Sequence, residues 1–153
     1  MGGDLAGAPK GKAPSFLISA VKDPLDANLD RVQVVKGWVA ADGSAQERIY
    51  DVAWSDGRRP DDAGRLPAVG NTVSLSTGRY ENSIGATELT TVWTDPDFDP
   101  SLRALYYVRV IQIPTPRHTL QDTIALQQPP EAADGHASTI QERAYSSPIW
   151  YTP

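Results

Sequence analysis

The stretch "RVQVVKGWVAADGSAQERIYDVAWSD", residues 31–56, decides the fold class. Apolar side chains alternate through Val32 and Val34, the signature of a half-buried strand. A phase change near Val35–Gly37 predicts a β-bulge there, after which Trp38 resumes the apolar face. Asp42-Gly43 suits the positive φ of a tight hairpin turn. Beyond it Tyr50, Val52 and Trp54 share one face, with Ile49, Asp51 and Ala53 on the other. Two strands joined by a short turn are the expectation.

Outward from this hairpin the chain keeps the same character. "SFLISAVKD" (15–23) is a short apolar run closed by Asp23-Pro24. "DGRRPDDAGRLPAVGN" (56–71) reads as a long surface loop, followed by strand-like "TVSLST" (72–77) and "ATELTTVWTD" (86–95). "LRALYYVRVIQIP" (102–114) is β-branched and aromatic on both faces, which fits a central strand ended by Pro114 and Pro116. "RHTLQDTIALQQPP" (117–130) has room for one helical turn, "EAADGHAS" (131–138) is loop, and "TIQERAYSSPIWYTP" (139–153) is a last strand interrupted at Pro148. The opening "MGGDLAGAPKGKAPSF" has no apolar signal core and reads as a flexible leader over residues 1–14.

About seven short strands and almost no helix predict an all-β domain over residues 15–153, a single antiparallel β-sandwich of immunoglobulin/fibronectin-like type. "DPSLRALYYVRV" (99–110), with Tyr106 and Tyr107 entering a Val-alternating strand, resembles the tyrosine corner of such sandwiches. Trp54 is then expected between the sheets.

Composition narrows the functions. The 153 residues carry a net charge of −5, with no basic cluster larger than "GRR" at 57–59, which argues against nucleic acid. No run approaches the roughly 20 apolar residues of a membrane helix. The absence of cysteine removes disulfides and thiolate chemistry, but it fixes no compartment. A periplasmic or secreted parent protein is compatible with it.

Candidate chemistry is sparse. Asp95, Asp97 and Asp99 in "WTDPDFDPS" alternate as oxygen ligands for Ca²⁺ would, yet Pro100 and Tyr106 stand where an EF-hand loop needs Gly and Glu, so an Asp-Pro turn is the expected reading. His118 and His136 are the two histidines, both in expected loops and too few for a histidine-rich metal centre. His118 with Asp122 and Ser146 or Ser147 is arithmetically a triad, without the strand-to-helix elbow that would expose a nucleophile. Glu81, Glu88, Asp95, Asp97 and Glu142 offer pairs for a glycosidase-like site, but among 19 acidic residues such a pair is not specific. Trp38, Trp54 and Trp93 fall on apolar phases and are expected in the core rather than on a sugar-stacking face. A substrate or partner surface is expected at Trp150 and Tyr151, and at Tyr80 and Asn82.

Taken together, "MGGDL", "KDPLDANLDRVQVVKGW", "YDVAWSDGR", "NSIGATEL", "VWTDPDFDPSLRALYYVRVIQIPTPR" and "TIQERAYSSPIWYTP" resemble the C-terminal region of a bacterial family of unknown function. That family looks like metal-dependent hydrolases with a polymerase-and-histidinol-phosphatase (PHP) type catalytic domain. The resemblance implies that the metal ligands lie upstream, in His-x-His and Asp-x-His motifs that this chain lacks, so no catalytic residue and no cofactor is expected here. It implies a non-catalytic accessory module beside a catalytic domain, with Met1 falling inside a longer family pattern and self-association of the isolated module expected. A glycan-binding module and a small stand-alone hydrolase are the alternatives.

Overall fold

The computed structural model describes residues 2–9, 12–129 and 135–153. Among them are ten strands and one helix. The hairpin comes first because its turn is locally encoded. Strands β3 (Leu29–Val39) and β4 (Ala45–Trp54) pair antiparallel, from Arg31 opposite Trp54 to Val39 opposite Ala45. Gly43 takes φ +83°, and the Asp42 carboxylate accepts the Ser44 N–H at 2.9 Å.

On its other side β3 pairs antiparallel with β6 (Ala104–Gln112), the expected central strand. β6 in turn pairs antiparallel with β10 (Ile149–Thr152), and β1 (Gly3–Ala6) lies parallel to β10 as an edge. The large sheet therefore runs β1-β10-β6-β3-β4, with β9 (Arg143–Tyr145) on the far half of β6. Between β9 and β10 the residues Ser146 to Pro148 face only Tyr107 and Val108 of β6, a one-residue bulge where proline cannot donate. The Ser146 hydroxyl accepts the Val108 N–H there, at 2.9 Å. Within the stretch expected to be a leader, Gly3–Ala6 is thus a paired strand, and the Pro14 carbonyl accepts the Asp95 N–H at 3.2 Å.

A second layer covers one face of this sheet. β2 (Ser15–Val21) and β5 (Glu88–Thr94) form an antiparallel pair from Ser15–Thr94 to Val21–Glu88. Its inward residues, Ile18 and Leu89 with Phe16 and Trp93 beside them, meet Val32, Val34, Ala104, Tyr106 and Tyr151 of the large sheet. This apolar burial between layers is the main favourable contribution to folding. β7 (Thr115–Pro116) and β8 (Thr139–Ile140) make a small ladder, and α1 (His118–Ala125) is longer than the single turn expected.

Four expectations change. The large sheet has no irregularity at Val35–Gly37. The register shifts along β3 fall at Asp30, skipped between β3 and β6, and opposite Val52, skipped between β3 and β4. Lys36 lies on the same face as Val34 and is buried with it, so the apparent phase change is a buried lysine on an unbroken strand. "TVSLST" is no strand: Ser74 bridges Arg79 across a tight turn. Trp54 does not fill the interlayer core; its indole N–H donates to the Arg58 carbonyl at 2.6 Å and anchors the following loop. Tyr106 makes no backbone corner, its hydroxyl donating instead to Asp95 Oδ2 at 2.7 Å.

That long loop is held by a buried charge. The Asp30 carboxylate, at the bulge of β3, receives Arg58 Nη2 at 2.6 Å, Arg31 Nη1 at 2.8 Å and Gln141 Nε2 at 2.9 Å. Arg58 also donates to the carbonyls of Asp30, Ser55 and Pro67, fastening both ends of the turn it sits in. Further along, Gly85 (φ +82°) passes so close to the entry of β3 that a Cβ would sit 2.7 Å from Asn28 Cβ and 3.0 Å from the Leu29 carbonyl oxygen.

Two predictions follow from the packing. Arg58→Ala leaves the buried Asp30 carboxylate short of its main partner and should lower unfolding free energy by about 3 kcal/mol in urea titrations. Adding Asp30→Ala should recover part of that loss. At the C-terminus, Tyr151→Ala should cost about 3–5 kcal/mol as a buried aromatic, whereas Trp150→Ala, on the open face, should cost under about 1 kcal/mol.

Candidate functional site

The chain leaves β2 through Lys22–Asn28, and local hydrogen bonding shapes this turn. Asp23 Oδ1 accepts the Leu25 N–H at 2.8 Å, while Lys22 Nζ donates to the carbonyls of Asp23, Pro24 and Asp26 at 2.9, 3.3 and 2.6 Å. The result presents the Asp26 carboxylate toward the end of β6. Asp26 Oδ1 accepts the Ala27 N–H at 2.7 Å and Oδ2 accepts Gln112 Nε2 at 3.2 Å; Tyr80 Oη makes a long 3.5 Å contact. The Ala27 N–H, then Gln112, hold the Asp26 carboxyl below the usual carboxylate range, against the opposing effect of burial. Burial, followed by the nearby Asp26 charge, pushes the Tyr80 hydroxyl up.

These groups edge a groove of about 820 Å³ between the end of β2, the end of β6 and β9. Lys22, Asp26, Tyr80, Gln112, Glu142 and Arg143 are among its lining residues. Carboxylates, an amide, a phenol and the Arg143 guanidinium in one recess can meet a ligand rich in hydroxyl or amide groups. Asn82 lies beneath: its Oδ1 accepts the Asn28 N–H at 2.8 Å and its Nδ2 donates to the Asp26 carbonyl at 3.2 Å. Tyr80 therefore faces the groove, and Asn82 braces the turn that forms it.

Trp150 and Tyr151 lie at the other end of β6 and part company. Tyr151 is 3% exposed, packs edge-on against Phe98 with ring centres 4.9 Å apart, and donates its hydroxyl to the Pro100 carbonyl at 2.9 Å. Trp150, one residue before, points to the opposite face and is 50% exposed. There it joins Gly37, Trp38, Val39, Leu105 and Ala104 around a shallow, mainly apolar depression of about 550 Å³.

The three aspartates of "WTDPDFDPS" serve three different partners. Asp95 is buried against Lys36, Nζ to Oδ2 2.6 Å. Asp97 Oδ2 accepts Arg48 Nη1 and the Tyr50 hydroxyl, both at 2.7 Å. Asp99 caps its own turn through the Ser101 N–H and hydroxyl, the latter leading in holding its carboxyl low. Burial first, then the bonds to Asp95 and Asp97, pushes the Tyr106 and Tyr50 hydroxyls well above the ordinary tyrosine range.

His118 opens α1 on the surface, while the Ser146 hydroxyl is engaged in the bulge with Val108 and the Ser147 carbonyl. Glu88 accepts the Thr90 hydroxyl at 3.2 Å on β5, and Glu142 lines the groove. Among the described residues no group of three His, Asp or Glu side chains is placed to hold a metal ion. Sequence reasoning missed Asp26, Gln112 and Lys36, whose roles arise from neighbours far along the chain.

Fold and site together define a mostly-β domain of two layers, with ion pairs inside, a polar groove at one end of β6 and an apolar depression at the other. The chain matches, over residues 1–153, the model of the family described as "Protein of unknown function (DUF3604)", and it belongs to that family. No curated protein and no solved structure matches it.

The tyrosines give a pH prediction. In the unfolded chain each ionises near pH 10. Folded Tyr106 and Tyr50 keep their protons to higher pH, so above about pH 10 the unfolded state binds fewer protons and stability falls as pH rises. Below that value both states are protonated and the contribution is whole. The urea midpoint should therefore fall as pH rises above about 10, and the fall should be shallower in Tyr106→Phe.

Proposed function

We propose that this chain is a non-catalytic accessory module that packs beside a metal-dependent hydrolytic domain of the PHP type. The observation that carries the reading is the open apolar depression around Trp150, Val39 and Leu105, on the sheet face away from the second layer. Monomeric domains seldom leave a large tryptophan and aliphatic neighbours gathered on one face without a partner. The sequence resemblance to the C-terminal region of such hydrolases supports the same reading. So does the dispersal, among the described residues, of Asp95, Asp97, Asp99 and His118, which pair with cations, cap a turn or face solvent.

The immunoglobulin-like label belongs to this reading. What supports it is the parallel pairing of the first and last strands, with β2 and β5 alone in the opposite layer. The module would brace the catalytic domain through the Trp150 face and leave the Asp26 groove at the rim.

The test is enzymatic. Alone, the chain should not hydrolyse p-nitrophenyl phosphate, with or without Mn²⁺ or Zn²⁺. Joined to a family catalytic region carrying His-x-His motifs, it should raise metal-dependent turnover, and Trp150→Asp should remove that gain. Metal-dependent turnover by the chain alone, or a gain untouched by Trp150→Asp, overturns the reading.

A further inference from the structure

The Lys36–Asp95 pair is enclosed on the β5 side of strand β3, where Lys36 Nζ also donates to the Asp97 carbonyl at 2.7 Å. Both side chains are shut off from water, 5% and 0% exposed, with the Trp38 and Tyr106 rings 5.3 and 6.0 Å from Nζ. The two Asp95 oxygens have different donors. Oδ1 accepts the backbone N–H of Asp97 at 2.9 Å, while Oδ2 accepts both the Tyr106 hydroxyl at 2.7 Å and Lys36 Nζ at 2.6 Å. Beside them lies a small recess, lined by Lys36, Trp38, Asp97, Phe98 and Tyr106 among others, with room for a water molecule.

We infer that this is a self-modification site, at which Lys36 and Asp95 condense to an intramolecular isopeptide bond. A proton passes from the Lys36 ammonium to Oδ2 along their hydrogen bond, and the freed amine attacks Cγ. Negative charge collects on Oδ1, where the Asp97 N–H stabilises it as an oxyanion-hole donor does. The amine then gives up a second proton to Oδ2 directly, the oxygen that the Tyr106 hydroxyl also donates to. The Cγ–Oδ2 bond breaks and Oδ2 departs as water into the adjoining recess. Ammonium plus carboxylate becomes amide plus water, so no outside oxidant, reductant or cofactor is needed. Fixing nucleophile and acceptor in one dry pocket supplies the orientation that condensation in water lacks. The bond would tie β3 to the turn after β5, joining the two layers of a domain that has no cysteine to do so.

Intact-mass measurement of the purified, folded chain tests this directly. The expected mass is one water below that of the sequence, and a digest should yield one branched peptide joining the Lys36 and Asp95 segments. Lys36→Arg, which keeps the charge but cannot form the amide, should return the full mass. Wild-type protein at full mass, with both segments recovered as separate peptides, overturns the proposal. So does a water loss that maps within a single unbranched peptide, such as a succinimide at Asp42-Gly43.

Discussion

Strand β3 takes two opposite charges into the interior, Asp30 near its start and Lys36 toward its end. A buried charge is costly unless a counter-ion and hydrogen bonds meet it, and no neighbour on β3 itself can meet Lys36. The loop after β4 must therefore bring Arg58 to Asp30, and the turn after β5 must bring Asp95 to Lys36. Each pair sets where a connection returns to the sheet. The second pair also places β5, since Asp95 follows that strand directly. Apolar replacements of similar size could leave the domain as stable. What they would lose is the geometry, because a buried leucine accepts many neighbours and a buried lysine accepts few.

The same pair shows how far the sequence could be read. Strands whose signals are local were legible: the Asp42-Gly43 hairpin, the "SFLISAV" and "ELTTVWT" strands, and the central run from Ala104 to Gln112. The bulge was misplaced for one physical reason. Polarity patterns treat Lys36 as a solvent-facing residue, and only a carboxylate far along the chain makes it an interior one. The actual irregularities, at Asp30 and Val52, lie within runs whose apolar pattern hardly changes. "TVSLST" failed differently. It alternates like a strand, but Gly78 at φ +62° and the bond from Gly78 N–H to the Ser74 carbonyl turn it back on itself.

Site residues were less legible than strands. Tyr80 and Trp150 do reach a recess, but on opposite ends of β6, and Asn82 and Tyr151 are spent on structure. Period-two alternation accounts for the split of Trp150 and Tyr151: neighbouring residues of β10 must face opposite sides. A pair of large aromatics at consecutive positions therefore cannot form one surface on a flat strand. One fills the core, and the other is left for whatever meets the sheet.

The separation of the two recesses constrains how the domain can work. The apolar depression opens by Arg103–Leu105 at the start of β6, and the groove lies by Val110 and Gln112 at its end, the two joined through one continuous strand. A protein seated over Trp150 leaves Asp26, Tyr80 and Arg143 in contact with solvent. The two surfaces can then be occupied together, without competition for the same atoms. Coupling between them would have to pass along β6 and its neighbour β3, the strand whose two buried charges are met by Arg58 and Asp95 from outside the large sheet. Anything that loosens Asp30 or Lys36 should be felt at both recesses, because Leu29 lines the groove and Gly37 and Trp38 line the depression.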